Sequence, residues 1–316
     1  MEILAVGSCV FDAPIAPVPY DVTKRRFSPV KTATAATGGD ALNGSISLAA
    51  LGHHVGLFSV VGGGPAGDAI VRRLKQTGVD MRYIRRLEDK SAGFSAILVP
   101  PDGERTIIHA PGGNWELDIR DISNDILKTV RHVHVASFSN TPKTMSGEPL
   151  GDLLKRAHEN GCTTSMDTVT YYGDAMAALA PCLPHLDIFL PSHYEISVMA
   201  GGIDDPLELK EFIRPYGVKI FGLKMGGDGI FVTDYKQDIF MKPMYRGTPV
   251  DTTGAGDSCF AGFVSGFLHG FTLEQCAQLA MAQAAQIVGA MGANLGVKPR
   301  AEVLKYAESF GVYLPK

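Results

Sequence analysis

Asp251-Thr252-Thr253-Gly254-Ala255-Gly256-Asp257 is the stretch on which the reading of this chain turns. A β-prone run, Arg246 to Val250, leads into it, and an apolar, small-residue helix pattern follows from Ser258 to His269. Two glycines around one alanine let the backbone turn sharply with little side chain in the way. The amides of Gly254, Ala255 and Gly256 then point at one spot at a helix start. Free N–H groups and the positive end of the helix dipole make that spot an anion site. Asp257 beside it would repel a bound phosphate, so its presence needs a reason. Proton abstraction supplies one: Asp257 takes the proton of an attacking hydroxyl while the amides hold a transferring phosphoryl group. A glycine-rich turn with an acidic N-cap has the same spacing.

Outward from this stretch, strand and helix signals alternate over most of the chain. Ile3–Gly7 reads as a buried strand, and a helix from about Ala41 to Leu51 is closed by Gly52. A strand at Val55–Val61 and a helix at Asp68–Thr77 follow, stopped by Gly78. From Val130 the rhythm returns, with strands near 131–136, 163–167, 186–190 and 218–224 and helices near 149–160, 192–200 and 206–214. A glycine turn at 226–229 starts a hairpin, and helices near 256–269, 272–291 and 299–309 finish the pattern. The alternation predicts an α/β fold: a mainly parallel sheet with helices on both faces. Two stretches break the rhythm. Residues 13–37 are rich in Pro, Thr and Val, and the stretch 91–112 contains a hairpin, read over 93–110, around Pro100-Pro101-Asp102-Gly103. Together they are expected to form a small β-lid over one edge of the sheet, within a single domain spanning 1–316.

With 316 residues, 45% of them hydrophobic, the chain can bury a full core. The net charge is −4, and the richest basic cluster is Lys24-Arg25-Arg26, which argues against nucleic acid as a partner. The five cysteines (Cys9, Cys162, Cys182, Cys259, Cys276) lack zinc or thioredoxin spacing, so reduced thiols in a cytoplasmic protein are expected. The chain enters a strand at once, and no signal peptide is expected. Gln278, Gln283 and Gln286 interrupt the most apolar helix, which argues against a membrane span.

Several other motifs allow two readings. Gly62-x-Gly64-x-x-Gly67 follows a strand and fits a dinucleotide fingerprint, but no second mononucleotide half is apparent. The chain contains no Gly-Lys dipeptide, so a P-loop is excluded. Asp12 closes the first strand, where its carboxylate can accept from two sugar hydroxyls or serve a turn. Gly38 and Gly39 bring the backbone close to a polar ligand at a helix start, and Asp40 and Asn43 share a face of that helix; a simple capped start fits equally. Ser192-His193-Tyr194-Glu195 is a capping box, or it places Glu195 near magnesium and phosphates. Lys224-Met225-Gly226-Gly227-Asp228-Gly229 ends a strand and lines a nucleotide or makes a tight hairpin. The histidines show no metal spacing, and Trp115 suits lid packing or a ligand contact.

Taken in order, these residues resemble the PfkB carbohydrate kinases of the ribokinase-like superfamily over nearly the whole length. The resemblance is carried by Asp12, Gly38-Gly39 with Asn43, Gly67-Asp68, Asp102-Gly103-Glu104-Arg105-Thr106 and Pro111-Gly112-Gly113-Asn114. It continues through Glu195 and Lys224 to Gly229, and ends on Asp251 to Asp257. It implies a sugar kinase using ATP and Mg2+, with Asp257 as base and the Gly254, Ala255 and Gly256 amides as anion hole. Asp12, Gly38, Gly39 and Asn43 would contact the sugar, with Asp40 bearing on substrate choice. Lys224, Gly226 and Gly229 would form the nucleotide loop, with Thr253, Ser192 and Met281 beside it. Glu195 would reach magnesium through water. Potassium would lie beside the anion hole on the carbonyls of Asp251, Thr253, Ile287, Ala290 and Gly292. Two positions depart from the family pattern: Ser192 replaces a usual Asn, and Met281 stands where Asn is common near the adenine. Lid strands of such proteins often pair between subunits, which implies a homodimer.

The expected activity is therefore ATP-dependent phosphorylation of a primary hydroxyl of a sugar or sugar derivative, a ketose or sugar acid in particular. A nucleoside kinase on the same scaffold, a non-catalytic sugar-binding protein and a nicotinamide dehydrogenase resting on Gly62, Gly64 and Gly67 are the rivals.

Overall fold

Ile3-Leu4-Ala5-Val6 is buried at every position, and alternate side chains serve opposite sides of one sheet. Ile3 and Ala5 join one core cluster, and Leu4 and Val6 join the other. The computed structural model describes residues 1–101, 106–139 and 144–315. Its strands are β1 (Ile3–Val6), β2 (Val10–Ala16), β3 (Thr32–Ala33), β4 (Ala36–Gly38), β5 (Val55–Gly63), β6 (Ile84–Ser91) and β7 (Gly93–Leu98). They continue with β8 (Thr106–Ala110), β9 (His132–Phe138), β10 (Thr163–Thr168), β11 (Ile188–Phe189), β12 (Ile220–Lys224), β13 (Ile230–Thr233) and β14 (Asp238–Met241). The helices are α1 (Asp40–Ala50), α2 (Gly64–Lys75), α3 (Asn124–Leu127), α4 (Gly147–Glu159), α5 (Ala175–Leu179) and α6 (His193–Met199). They end with α7 (Pro206–Ile213), α8 (Ala255–Leu268), α9 (Leu273–Val288) and α10 (Arg300–Glu308).

The large sheet has the order β14-β13-β12-β11-β10-β9-β1-β5-β6. It is parallel from β6 to β12 and antiparallel only at the β12-β13-β14 edge. Helices α1, α2, α8, α9 and α10 cover one face, and α4, α6 and α7 supply the other core. Small residues let α8 and α9 approach closely: a Cβ on Gly262 would meet the backbone of Ala280, and one on Gly266 that of Cys276. All five cysteines are free and buried. Among the described residues, no helix is long and apolar enough to cross a membrane.

A second sheet has the order β3-β2-β7-β8, with β4 also paired to β2. It draws on both stretches that broke the αβ rhythm, and β7 and β8 form the expected hairpin. The turn residues Asp102, Gly103, Glu104 and Arg105 lie outside the described residues. Two expectations need correcting, and one strand was not foreseen. Asp12 does not close the first strand: β1 ends at Val6, Gly7 turns the chain at φ +150°, and Asp12 lies within β2 of the small sheet. Arg246–Val250 is not a strand; Gly247 at φ +98° and Pro249 break the extended ladder. Strand β6 was not expected, because its run of Arg85, Arg86, Glu88, Asp89 and Lys90 hides the period of an exposed edge strand.

The Gly62, Gly64 and Gly67 motif has a packing explanation. A Cβ on Gly62 would overlap the Ser91 backbone, one on Gly67 would overlap the Gly62 carbonyl, and Gly64 has φ +73°. Helix α2 accordingly starts at Gly64, before the expected Asp68. Gly67→Ala is expected to cost ~1–3 kcal/mol as an overpacked contact, read as a lower urea midpoint with an unchanged slope.

Candidate active site

A cavity of about 1170 Å³ lies between the carboxyl ends of the parallel strands and the small sheet. Its floor is the start of α8. Gly254 adopts φ +77°, and a Cβ there would overlap the Ala293 carbonyl, so glycine is required. The Asp251 carboxylate braces the loop, accepting from Thr253 N and from Gly292 N at 2.9 Å each. The Ala255 amide donates to the Thr252 carbonyl at 3.2 Å and is thus used by the turn itself. Gly254 is the N-cap of α8 and Gly256 lies on its first turn, where backbone N–H groups have no acceptor within the helix.

Asp257 stands on the first turn of α8 and lines the cavity. Its Oδ2 accepts from Asn43 Nδ2 at 2.8 Å, across from α1. Gly39 takes φ +94° where a Cβ would crowd the Ser8 carbonyl, and Gly38 leaves the space that the Asp12 carboxylate fills. Gly39, Asp40, Asn43 and Asp12 line the cavity, while Gly38 acts behind Asp12. Ser95 and His109 enter from the small sheet and hydrogen-bond to each other at 3.1 Å.

Lys224, at the end of β12, makes a salt bridge to Asp167 at the end of β10. Ser192 caps α6 by accepting from Glu195 N at 3.4 Å. The Glu195 carboxylate turns instead to Thr168, accepting from its hydroxyl at 2.7 Å, so cap and cavity-facing acid coexist. Gly226 borders the cavity; Gly229, at φ +99°, does too, and a Cβ there would overlap the Met241 carbonyl. Thr253 and Met281 also line it, Met281 from α9. Asp251, Ile287, Ala290 and Gly292 lie off the cavity, in the loop braced by Asp251 and at the C-terminal end of α9.

Charge is concentrated here. Enclosure by protein, then the carboxylates of Asp257, Asp167 and Glu195, push the Asp40 carboxyl well above its usual range. Burial likewise raises Glu195 against the pull of Lys224. Burial disfavours the Lys224 charge, but Asp167 and Glu195 outweigh it and hold the ammonium firmly protonated. Among the described residues, no group of three His, Cys, Asp or Glu side chains could hold a metal by itself. The site does fit a hard cation shared with phosphates and water, because its acids supply oxygen donors around one lysine. Asp167, which lines the cavity, was not singled out from sequence; its signal is that of an acid at the carboxyl end of a parallel strand.

Asp40→Asn is expected to raise Tm at pH 7. The Asp40 pKa is raised in the folded protein, so the folded state holds the proton more tightly, and stability falls as pH rises from the unfolded value, about 3.9, towards the folded one. The variant should flatten that decline in a thermal-shift series.

The profile of the pfkB family carbohydrate kinases matches residues 2–300. An uncharacterised sugar kinase of Archaeoglobus fulgidus is 28% identical over 255 residues, 80% of this chain and 98% of that protein. A nucleoside kinase of Methanothermobacter thermautotrophicus is 25% identical over 96% of this chain and 94% of its own. A putative ribokinase II from E. coli, solved with ATP and Mg2+, superposes with a TM-score of 0.82 at 22% identity, covering 98% of this chain and 99% of that one.

Proposed function

This chain belongs to the pfkB family of carbohydrate kinases, and we propose that it phosphorylates a primary hydroxyl of a sugar or sugar derivative with Asp257 as general base. At the coarser level it is a sugar or nucleoside kinase, a phosphotransferase that uses ATP. One observation carries the finer reading: Asp257 stands on the first turn of α8, at the wall of the shared cavity, bonded to Asn43 from the opposite helix. Phosphoryl transfer needs mainly positioning and charge stabilisation. Asp12, Gly39 and Asn43 orient the acceptor hydroxyls, with Gly38 making room for Asp12 and Asp40 bearing on the choice of sugar. Asp257 takes the proton as the attacking oxygen becomes acidic. The Gly254 and Gly256 amides and the α8 dipole stabilise the transferring group, and the turn at Ala255 holds them in place.

Bound MgATP supplies the phosphoryl group, and its metal screens the phosphate charge. Lys224, Gly226, Gly229, Thr253, Ser192 and Met281 would border the nucleotide, and Glu195 would hold the metal through water. Carbonyls of Asp251, Thr253, Ile287, Ala290 and Gly292 would hold a potassium ion, a place favoured by the negative end of α9. A nucleoside acceptor is the second reading; apolar Ile97 and Ile107 on the small-sheet wall would flank a base. The small sheet would close as a lid over the acceptor. The exposed β8, with Ile107 and Ile108, supports a homodimer through that sheet.

The test is ADP release with MgATP, with and without potassium, over ketoses, aldoses, sugar acids and nucleosides. Acceptor-dependent release is expected, with kcat lower by about 10²–10⁴ in Asp257→Asn and ATP affinity kept. Near wild-type turnover in that variant would remove Asp257 as base. Light scattering is expected to give twice the chain mass, and Ile108→Glu the chain mass itself.

A further inference from the structure

Helices α1 and α2, the α8 start and the small sheet meet at a buried amide that the sequence reading did not single out. Asn294 is 1% exposed. Its Nδ2 donates to Asn43 Oδ1 at 2.9 Å and to the Thr37 carbonyl at 2.7 Å. Arg73, on α2, donates to it twice, from Nε to Asn294 Oδ1 at 3.0 Å and from Nη2 to the Asn294 carbonyl at 2.9 Å. Asn43, 3% exposed, then donates to Asp257.

The ends of this chain of hydrogen bonds fix its direction. A guanidinium can only donate, so Asn294 must present its oxygen to Arg73 and its NH2 to Asn43. Asn43 must answer with its oxygen, which turns its own NH2 towards the carboxylate. Neither amide can flip without facing donor to donor or acceptor to acceptor. Arg73 makes no salt bridge among the described residues, so its charge polarises the relay. The neighbouring residues Gly292 and Ala293 meet Asp251 and Gly254 of the anion loop. The segment 292–294 thus registers the anion loop, the substrate helix and the small sheet against one another.

Resting on the kinase reading, we infer that Asn294 and Arg73 are positioning residues for Asp257: through Asn43 they set the orientation of its carboxylate and stabilise its ionised form. Asp257 also faces Asp40 of α1, Asp167 of β10, Glu195 of α6 and Lys224 of β12. These groups are unchanged by substitution at 294 or 73.

The test compares Asn294→Asp and Arg73→Lys with wild type in the full chain. Asn294→Asp keeps size but cannot donate, so Asn43 flips and offers its oxygen to Asp257. The expected result is a kcat lower by at least tenfold, KM for ATP within threefold, and the acid limb of the kcat profile moved to higher pH. Arg73→Lys, which leaves the net charge unchanged and keeps one donor, should lower kcat in the same direction but by less. The Asp257 titration, followed by carboxyl 13C NMR and assigned with Asp257→Asn, should move up in Asn294→Asp whether or not an acceptor has been found. A lower Tm with unchanged kcat, acid limb and Asp257 titration would overturn the inference. Absence of turnover in wild type, with the titration still moved, would count against the kinase reading and leave the relay standing.

Discussion

A 2.8 Å hydrogen bond from the Asn43 amide to the Asp257 carboxylate joins the helix that starts at the substrate end of the cavity to the helix that starts at the anion loop. Much of the site depends on those two helix starts holding one register. Helices α1 and α8 pack through small and polar contacts, with Ser47 and Ser258 hydroxyls 2.9 Å apart behind the carboxylate. A carboxyl group between two helices is costly to bury unless its oxygens are satisfied, and the Asn43 amide satisfies one of them.

The rest of the cavity follows from managing like charges. Asp40, Asp167, Glu195 and Asp257 lie around the half-buried Lys224, and two of them are answered locally, Asp167 by Lys224 and Glu195 by Thr168. Burial and mutual repulsion still lift Asp40, Asp167 and Glu195. Such a cluster of like charges is unfavourable for stability and favours a cation among its oxygens. Glycines hold the loops where any side chain would collide, at Gly39 against Ser8 and at Gly254 against Ala293.

Much of this was legible in the residues themselves. The αβ alternation, the buried first strand and the glycine-flanked helix start are local, with periods of two and 3.6 that a linear sequence displays. The Asp251–Asp257 stretch carried its own geometry for the same reason. Boundaries failed where local preference was ambiguous: Gly247 and Pro249 ended a run that looked β-prone, and the charged edge strand Ile84–Ser91 showed no apolar period.

By itself, then, the sequence determined the α/β class and the glycine-flanked start of α8 with Asp257 on its first turn, because each depends on neighbours along the chain. Only the tertiary structure decided what the acid touches. Asn43 and Asp257 are 214 positions apart, and Asn294 and Arg73 are 221 apart. Their pairing arises from helices packed on one sheet, and no spacing rule connects residues so far apart. The dual use of Ser192 and Glu195, cap on one side and cavity on the other, was likewise settled only when β10 brought Thr168 alongside α6.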